Sequence, residues 1–360
     1  MPFSGLPITR RQLFPIPFAI VLNAVLRPSA DALEAWPTDG WAELEPSEAG
    51  MDGAGLRLAD QQIRAAMPDV TGIVVVRHNA LVFERYYGGR YGRRDPIKVR
   101  SVTKSVVSSL IGMAIDDGLL TLDSTIGELI PDRIPDGADP RTPDVTLRQL
   151  LTMTSGWAWD VGADYETLIS ADDWVALTLG LPLAYEPGTV YAYNTGGSHL
   201  LSVILAAVTG KDTADVAQAR LFDPLGIARP RWERSPQREA IGGFGLELTP
   251  RDMAKFGLLY LREGAWDGGR LLPRGYVAAS TTYQAEGDST GYANYGYQWW
   301  VIDLPGYQAY FALGHGSQYI YVVPALDLVV VVVKGFEEEP PITTFSRPLI
   351  ETYVVPAVTG

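Results

Sequence analysis

Ser101-Val102-Thr103-Lys104 sets a hydroxyl three residues ahead of a lysine, at the head of an apolar run. Positions i and i+3 of a helix share a face, so Oγ of Ser101 and Nζ of Lys104 can meet. Lys98, Lys104, Lys211, Lys255 and Lys334 are the lysines of the chain, and Lys104 alone has a serine three positions earlier. A serine becomes a nucleophile when a neighbour takes its proton, and a desolvated lysine can do so. Free lysine titrates near ~10.4, so a solvated Lys104 would be protonated and useless as a base. Burial disfavours the charged form and can lower that value by several units. Alone the spacing is a weak signal, because about one Ser-x-x-Lys arises by chance in a chain this long. Its bland reading is a helix-capping serine beside a solvated lysine.

Other chemistries find less support. Gly287-Asp288-Ser289-Thr290-Gly291 matches Gly-x-Ser-x-Gly, but a nucleophile elbow needs a buried strand before it and a helix after it. Here polar Gln284-Ala285-Glu286 precedes, a Gly- and Tyr-rich stretch follows, and His315 is the one downstream histidine. The segment reads as a surface loop. The three histidines, His78, His199 and His315, lie far apart without metal-ligand spacing, so no metal is expected. Phosphate-loop and dinucleotide fingerprints are missing, and no cofactor is expected. With no cysteine there is no disulfide and no thiolate. A net charge of −13 without a basic run argues against a nucleic-acid or anionic-membrane partner.

The elements that must position Ser101 and Lys104 follow from periodicity. Leu56 to Met67 has helical spacing, and Thr71 to His78 and Leu81 to Tyr87 are β-rich runs joined at His78-Asn79-Ala80. Ser101 to Asp117 is an apolar helix ending at Gly118. Loops then alternate with helical segments over Thr146 to Met153, Ala171 to Leu179, Gly197 to Thr209 and Asp212 to Phe222. Thr249 to Glu263 is a further helix, with Pro250 suited to its first turn. Tyr295 to Val301, Gln308 to Leu313, Gln318 to Val323 and Leu328 to Lys334 are strands, and Ile342 to Val355 can close the chain as a helix. Strands at both ends around a helical middle predict an antiparallel sheet interrupted by a helical insertion.

Four segments taken together are specific. They are Ser101-Val102-Thr103-Lys104-Ser105, Leu150-Leu151-Thr152-Met153-Thr154-Ser155-Gly156-Trp157, Tyr193-Asn194-Thr195 and His315-Gly316-Ser317-Gln318. In this order they resemble the serine β-lactamase and penicillin-recognising superfamily, in its class C and related esterase branch. The stretch Gly243-Phe244-Gly245-Leu246 before Thr249-Pro250-Arg251-Asp252 makes the 6-aminohexanoate-dimer hydrolase type the nearest look. The resemblance runs from about Trp41 to the C-terminus. It implies Ser101 as nucleophile, Lys104 as general-base partner and Tyr193 as the proton shuttle to the leaving group. It further implies an oxyanion hole from the backbone N–H groups of Ser101 and Gln318. Thr195, His315, Gly316, Ser317 and Trp157 would line the substrate pocket. Thr195 stands where many members have asparagine, and His315 where true lactamases have lysine, which argues against efficient β-lactam hydrolysis. Read singly, Tyr193 would be a core residue, and His315 is equally a pocket residue or an ordinary strand-end histidine; Trp157, Trp159, Trp299 and Trp300 read as packing residues rather than substrate platforms, though Trp157 and Trp159 follow a pocket-adjacent motif.

The expected fold is therefore α/β of the α+β kind: an antiparallel sheet flanked by helices, carrying an inserted all-helical subdomain. Residues 33–105 and 240–360 would form the sheet domain and 106–239 the helical one, with the active site between them. The expected activity is hydrolysis of small esters or amides through a Ser-Lys-Tyr acyl-enzyme. Its rivals are a D-Ala-D-Ala carboxypeptidase or peptidoglycan amidase, and a binding protein of the same fold that has lost turnover. Residues 1–32 carry paired Arg10-Arg11, an apolar stretch from Leu13 to Leu26, and Ala30-Asp31-Ala32. That pattern suggests a twin-arginine export signal and a periplasmic or secreted protein, against an N-terminal arm on a cytoplasmic enzyme.

Overall fold

The computed structural model describes residues 35–89, 91–287, 293–335 and 346–360. The expected export signal and Asp288 to Gly291 of the rejected elbow lie outside them.

Eight strands form one sheet. They are β1 (Ala42–Glu43), β2 (Val70–Arg77), β3 (Ala80–Tyr86), β4 (Asn294–Tyr295), β5 (Trp300–Leu304), β6 (Tyr307–Gly314), β7 (Gln318–Val323) and β8 (Leu328–Lys334), in the spatial order β1-β3-β2-β8-β7-β6-β5-β4. Each pairing is antiparallel except β1 with β3. The hairpin of β2 and β3 turns at His78 and Asn79, both with positive φ, as a tight turn matching strand twist requires. The central strands are apolar on both faces, and alternation sends their side chains into two cores. Val74 and Val76 of β2, Ile320 and Val322 of β7, and Val329, Val331 and Val333 of β8 enter one core. Ile73 and Val75, Tyr319 and Tyr321, and Val330 and Val332 enter the other.

Helices cover both faces. Helix α1 (Gly53–Ala66), capped by the Asp52 carboxylate, shares its core with Leu349, Ile350 and Val354 near the C-terminus. The opposite core takes α2 (Val102–Asp116), α3 (Leu147–Leu151), α6 (Thr195–Thr209) and α7 (Pro250–Leu261); α4 (Ala163–Ser170) and α5 (Trp174–Leu179) precede α6. Every residue of α2 from Val102 to Ala114 is buried. A helix buried all round is normally apolar, yet α2 carries Ser105, Ser108 and Ser109. Each hydroxyl finds a partner: Ser105 the Gln298 carbonyl at 2.7 Å, Ser108 the Tyr297 carbonyl at 2.8 Å, Ser109 the Ser105 carbonyl at 2.9 Å. No helix among the described residues is long and apolar enough to cross a membrane.

Two expected elements differ. The run from Tyr295 to Val301 is not one strand: β4 ends at Tyr295, the chain turns through Gln298 at φ +60°, and β5 starts at Trp300. Its β-rich composition is overridden by Gln298, whose buried amide donates to the Leu150 and Leu151 carbonyls at 3.0 and 2.9 Å. The C-terminal helix begins, within the described residues, as α8 (Ser346–Leu349), then widens into a π turn over Ile350–Val354.

Candidate active site

Ser101 stands at the N-terminal boundary of α2, in helical conformation, and its side chain makes no capping hydrogen bond. The hydroxyl is thus free of the bland role that its position suggests. Arg100, immediately before, adopts φ +53°, an uncommon left-handed conformation for a long side chain. Gly314, at the end of β6, lies against this turn: a methyl group there would come within 2.2 Å of the Val99 carbonyl oxygen. Gln318 is paired across the strand from Gly314, which brings the start of β7 to the Ser101 turn.

Lys104 is 1% exposed. Its Nζ lies 3.2 Å from Ser101 Oγ, 3.3 Å from Thr195 Oγ1 and 2.7 Å from the Gly243 carbonyl oxygen. The one-turn spacing supplies the first contact, and the start of α6 the second. The third depends on a short antiparallel pair, Ile97–Lys98 with Glu247–Leu248, which lays the Gly243 segment along the chain entering α2. Leu246 continues that alignment, accepting from Val99 N–H at 3.0 Å and donating to Thr103 Oγ1 at 3.3 Å. Among the described residues no carboxylate pairs with Lys104, and burial pushes its amine down to about 7. Around neutrality a substantial fraction is therefore uncharged and able to take a proton.

Tyr193 reaches the same place from the loop before α6. That loop is docked on the turn after α3: Ala192 N–H donates to the Met153 carbonyl at 2.8 Å, and Asn194 N–H to Met153 Sδ at 3.3 Å. The Asn194 side chain then caps α6 by accepting from Gly197 N–H. Trp300 stacks on the Tyr193 ring at 5.7 Å and Tyr295 meets it edge-on at 6.3 Å. Lys104 Nζ sits 5.0 Å from the ring centre. Burial pushes the phenol up to about 12, with the neighbouring Ser101 hydroxyl acting in the opposite direction. The phenol therefore keeps its proton to higher pH than the amine does.

Tyr193 also lines a cleft of about 1310 Å³, with Gln149, Trp159, Tyr185, Tyr191 and Tyr283 among its walls. Of the expected pocket residues, Thr195 touches Lys104 and His315 is exposed at the β6–β7 turn, beside buried Gly316. Two others do something else. Trp157 has no exposed surface and belongs to the core, so it presents no face to a substrate; Trp159, two residues on, reaches the cleft instead. Ser317 is 2% exposed and its Oγ accepts from Ser346 N–H at 2.8 Å, a tie to the C-terminal segment. The Gln318 side chain is likewise occupied by the Lys334 backbone. No cluster that could hold a metal ion occurs among the described residues.

Sequence reasoning missed the Gly243 carbonyl and Gln298. A backbone acceptor has no residue type to betray it, although the adjacent Gly242-Gly243 pair signals a close main-chain approach. Gln298 joins three elements, taking the Ser198 hydroxyl of α6 at 3.0 Å besides its bonds to α3 and α2.

Residues 57–341 match the family model described as Beta-lactamase. Among curated proteins, Esterase EstB of Burkholderia gladioli is 27% identical over 212 residues, 52% of this chain and 54% of that one. The match thus spans about half the length of that esterase. The 6-aminohexanoate-dimer hydrolase of Paenarthrobacter ureafaciens is 23% identical over 350 residues, 84% of this chain and 87% of that one. A solved structure from Bacillus anthracis, provisionally titled a 6-aminohexanoate-dimer hydrolase, superposes with a TM-score of 0.71 at 20% identity. It covers 92% of this chain and 89% of its own, and the likeness is one of fold.

Proposed function

The chain belongs to the Beta-lactamase family, and from that premise we propose that it hydrolyses small ester or amide bonds through a Ser101 acyl-enzyme. The observation that carries the reading is Lys104: sealed from water, without a carboxylate among the described residues, its amine 3.2 Å from a hydroxyl that caps nothing. A charged amine placed there would cost several kcal/mol without serving the fold, whereas a neutral one is a base in reach of its acid.

Neutral Lys104 takes the proton as Ser101 Oγ attacks the acyl carbon, and the carbonyl electron pair moves onto oxygen. The N–H groups of Ser101 and Gln318 receive that oxyanion, aided by the positive end of α2. As the tetrahedral intermediate collapses, Tyr193 gives its proton to the departing alcohol or amine and is reprotonated from Lys104. A water molecule then attacks the ester on Ser101, passing its proton to the same pair, and the acid leaves as Oγ regains a proton. The names of the relatives, an esterase and an amide-dimer hydrolase, support both bond types. Thr195 and exposed His315 in place of an amide and a lysine support esters and linear amides over β-lactams.

The test is a panel of ester, linear amide and lactam substrates run beside fluorophosphonate labelling mapped by mass spectrometry. Label on Ser101, with turnover and label both abolished in Ser101→Ala, is the expected result. Substantial turnover by purified Ser101→Ala protein sinks the mechanism. Label on Ser289 would transfer the nucleophile to the Gly-x-Ser-x-Gly segment, and no label anywhere would favour a binding protein.

A further inference from the structure

The shortest hydrogen bond made by Lys104 goes to a main-chain carbonyl, that of Gly243. What holds this carbonyl in place is a face of α6. Thr195, His199 and Ser202 recur at i, i+4 and i+7 and therefore point the same way. All three meet the segment from Ala240 to Gly243. A methyl group on Gly243 would lie 2.7 Å from Thr195 Cγ2, and one on Gly242 2.5 Å from the Ser198 carbonyl oxygen, so the paired glycines let the backbone lie flat on the helix. Ser202 Oγ donates to the Ala240 carbonyl at 2.7 Å. Between these two ties, Gly242 N–H donates to Nδ1 of His199 at 3.3 Å.

Nδ1 accepts only while it carries no proton, which places the ring N–H on Nε2. Nε2 stands 3.4 Å from Glu239 Oε2, an ion-pair distance without hydrogen-bond alignment, and Arg133 Nη1 holds Oε1 of that carboxylate at 2.8 Å. Burial drives the Glu239 carboxyl up, but His199 and Arg133 outweigh it and keep it below its usual range. The imidazole is 1% exposed and Trp174 packs edge-on against it at 5.5 Å. The ring is thus enclosed by Gly242, the Glu239 carboxylate and Trp174. The mechanism above uses neither His199 nor Glu239.

We propose that His199, oriented by Glu239, is a positioning residue for the base: by fixing Gly242 it holds the Gly243 carbonyl on the Lys104 amine. The inference deepens, and rests on, the reading of Ser101 and Lys104 as nucleophile and base. A carbonyl acceptor favours the ammonium over the amine, and so opposes burial. Without it the titration of Lys104 moves to lower pH and Nζ is no longer tethered opposite Ser101 Oγ.

Three variants test this. His199→Asn keeps an acceptor where Nδ1 stood, His199→Leu removes it at similar bulk, and Glu239→Gln keeps the size but not the charge. With five lysines in the chain, the side-chain signal of Lys104 can be followed through a pH titration of [15N]lysine-labelled protein by NMR. The pH profile of Ser101 phosphonylation by a fluorophosphonate, and the melting temperature, are measured on the same preparations. His199→Leu should lower the Lys104 midpoint by about one unit and slow phosphonylation about 100-fold. His199→Asn should keep both close to wild type, and Glu239→Gln should fall between. A folded His199→Leu protein with wild-type titration and rate overturns the proposal, as does a His199→Asn protein as impaired as His199→Leu. If His199→Leu does not fold, Glu239→Gln decides, and an unchanged midpoint and rate there overturn it. If wild-type Ser101 takes no label while the Lys104 midpoint still follows position 199, the hydrolase reading falls and the positioning stands.

Discussion

Lys104 on α2 and Lys334 at the end of β8 are each 1% exposed, yet their surroundings treat the charge differently. Lys334 Nζ meets Asp69 Oδ2 at 2.7 Å, and although burial lowers its pKa, the carboxylate pulls the other way. Lys104 meets two hydroxyls and a carbonyl, and burial acts on it alone. Exposed surface is equal in the two places, but Lys104 lies the deeper among protein atoms, so depth and partner both differ. An anion opposes the loss of charge at Lys334 and ties the end of β8 to the residue before β2, whereas neutral acceptors leave an amine free to trade protons.

The sharpest way to break this comparison is to replace each lysine by methionine. Lys104→Met should cut kcat by about 10³- to 10⁴-fold and leave the melting temperature unchanged or higher, because an apolar chain suits that cavity. Lys334→Met should leave kcat within about twofold and cost about 2 kcal/mol in a urea melt, since Asp69 loses this buried ammonium. Reversed outcomes would erase the distinction. Next in size, Tyr193→Phe should lower kcat about 100-fold with the melt unaltered, which steady-state kinetics and calorimetry read together.

The pH dependence sharpens it further. Burial holds the folded-state pKa of Lys104 down at about 7, against 10.5 for an unperturbed lysine. Between those values the unfolded chain binds a proton that the folded chain does not, so stability rises with pH through this window. Below about 7 the fold carries the whole penalty of a buried cation, and above 10.5 none. Wild type should therefore gain up to about 1.4 kcal/mol per pH unit relative to Lys104→Met between pH 7 and 10, measured by paired denaturant melts. kcat should climb through the same midpoint near 7. Among the site variants the smallest expected change belongs to Thr195→Val, which removes one of three partners and should alter kcat about three- to fivefold with KM unchanged.

How much could be read in advance follows from where each feature is encoded. Ser101 and Lys104 sit one turn apart on a single helix, so their meeting is local and legible. Tyr193 is 89 positions beyond Lys104 and was legible only through family resemblance, because no local period links them. The strands β2, β3, β7 and β8 declared themselves by β-branched runs within a residue of their observed ends. The break at Gln298 did not, since its cause is an amide satisfied by α3 and α6, more than 90 positions away. Trp157 carried two readings for a related reason: it lies beside a pocket motif in sequence, while its own side chain turns inward to the core, as its packing reading has it.

The sheet's outer members, β1 and β4, are two residues long, and each covers only the end of its inner neighbour. What remains uncovered on those neighbours carries Glu84 and Arg85 on one side and Asp303 on the other. Among the described residues, therefore, the valine-rich centre never reaches a rim where a foreign polypeptide could add itself as a ninth rung. A sequence this prone to extended self-pairing is kept from propagating by ionic fringe at both flanks.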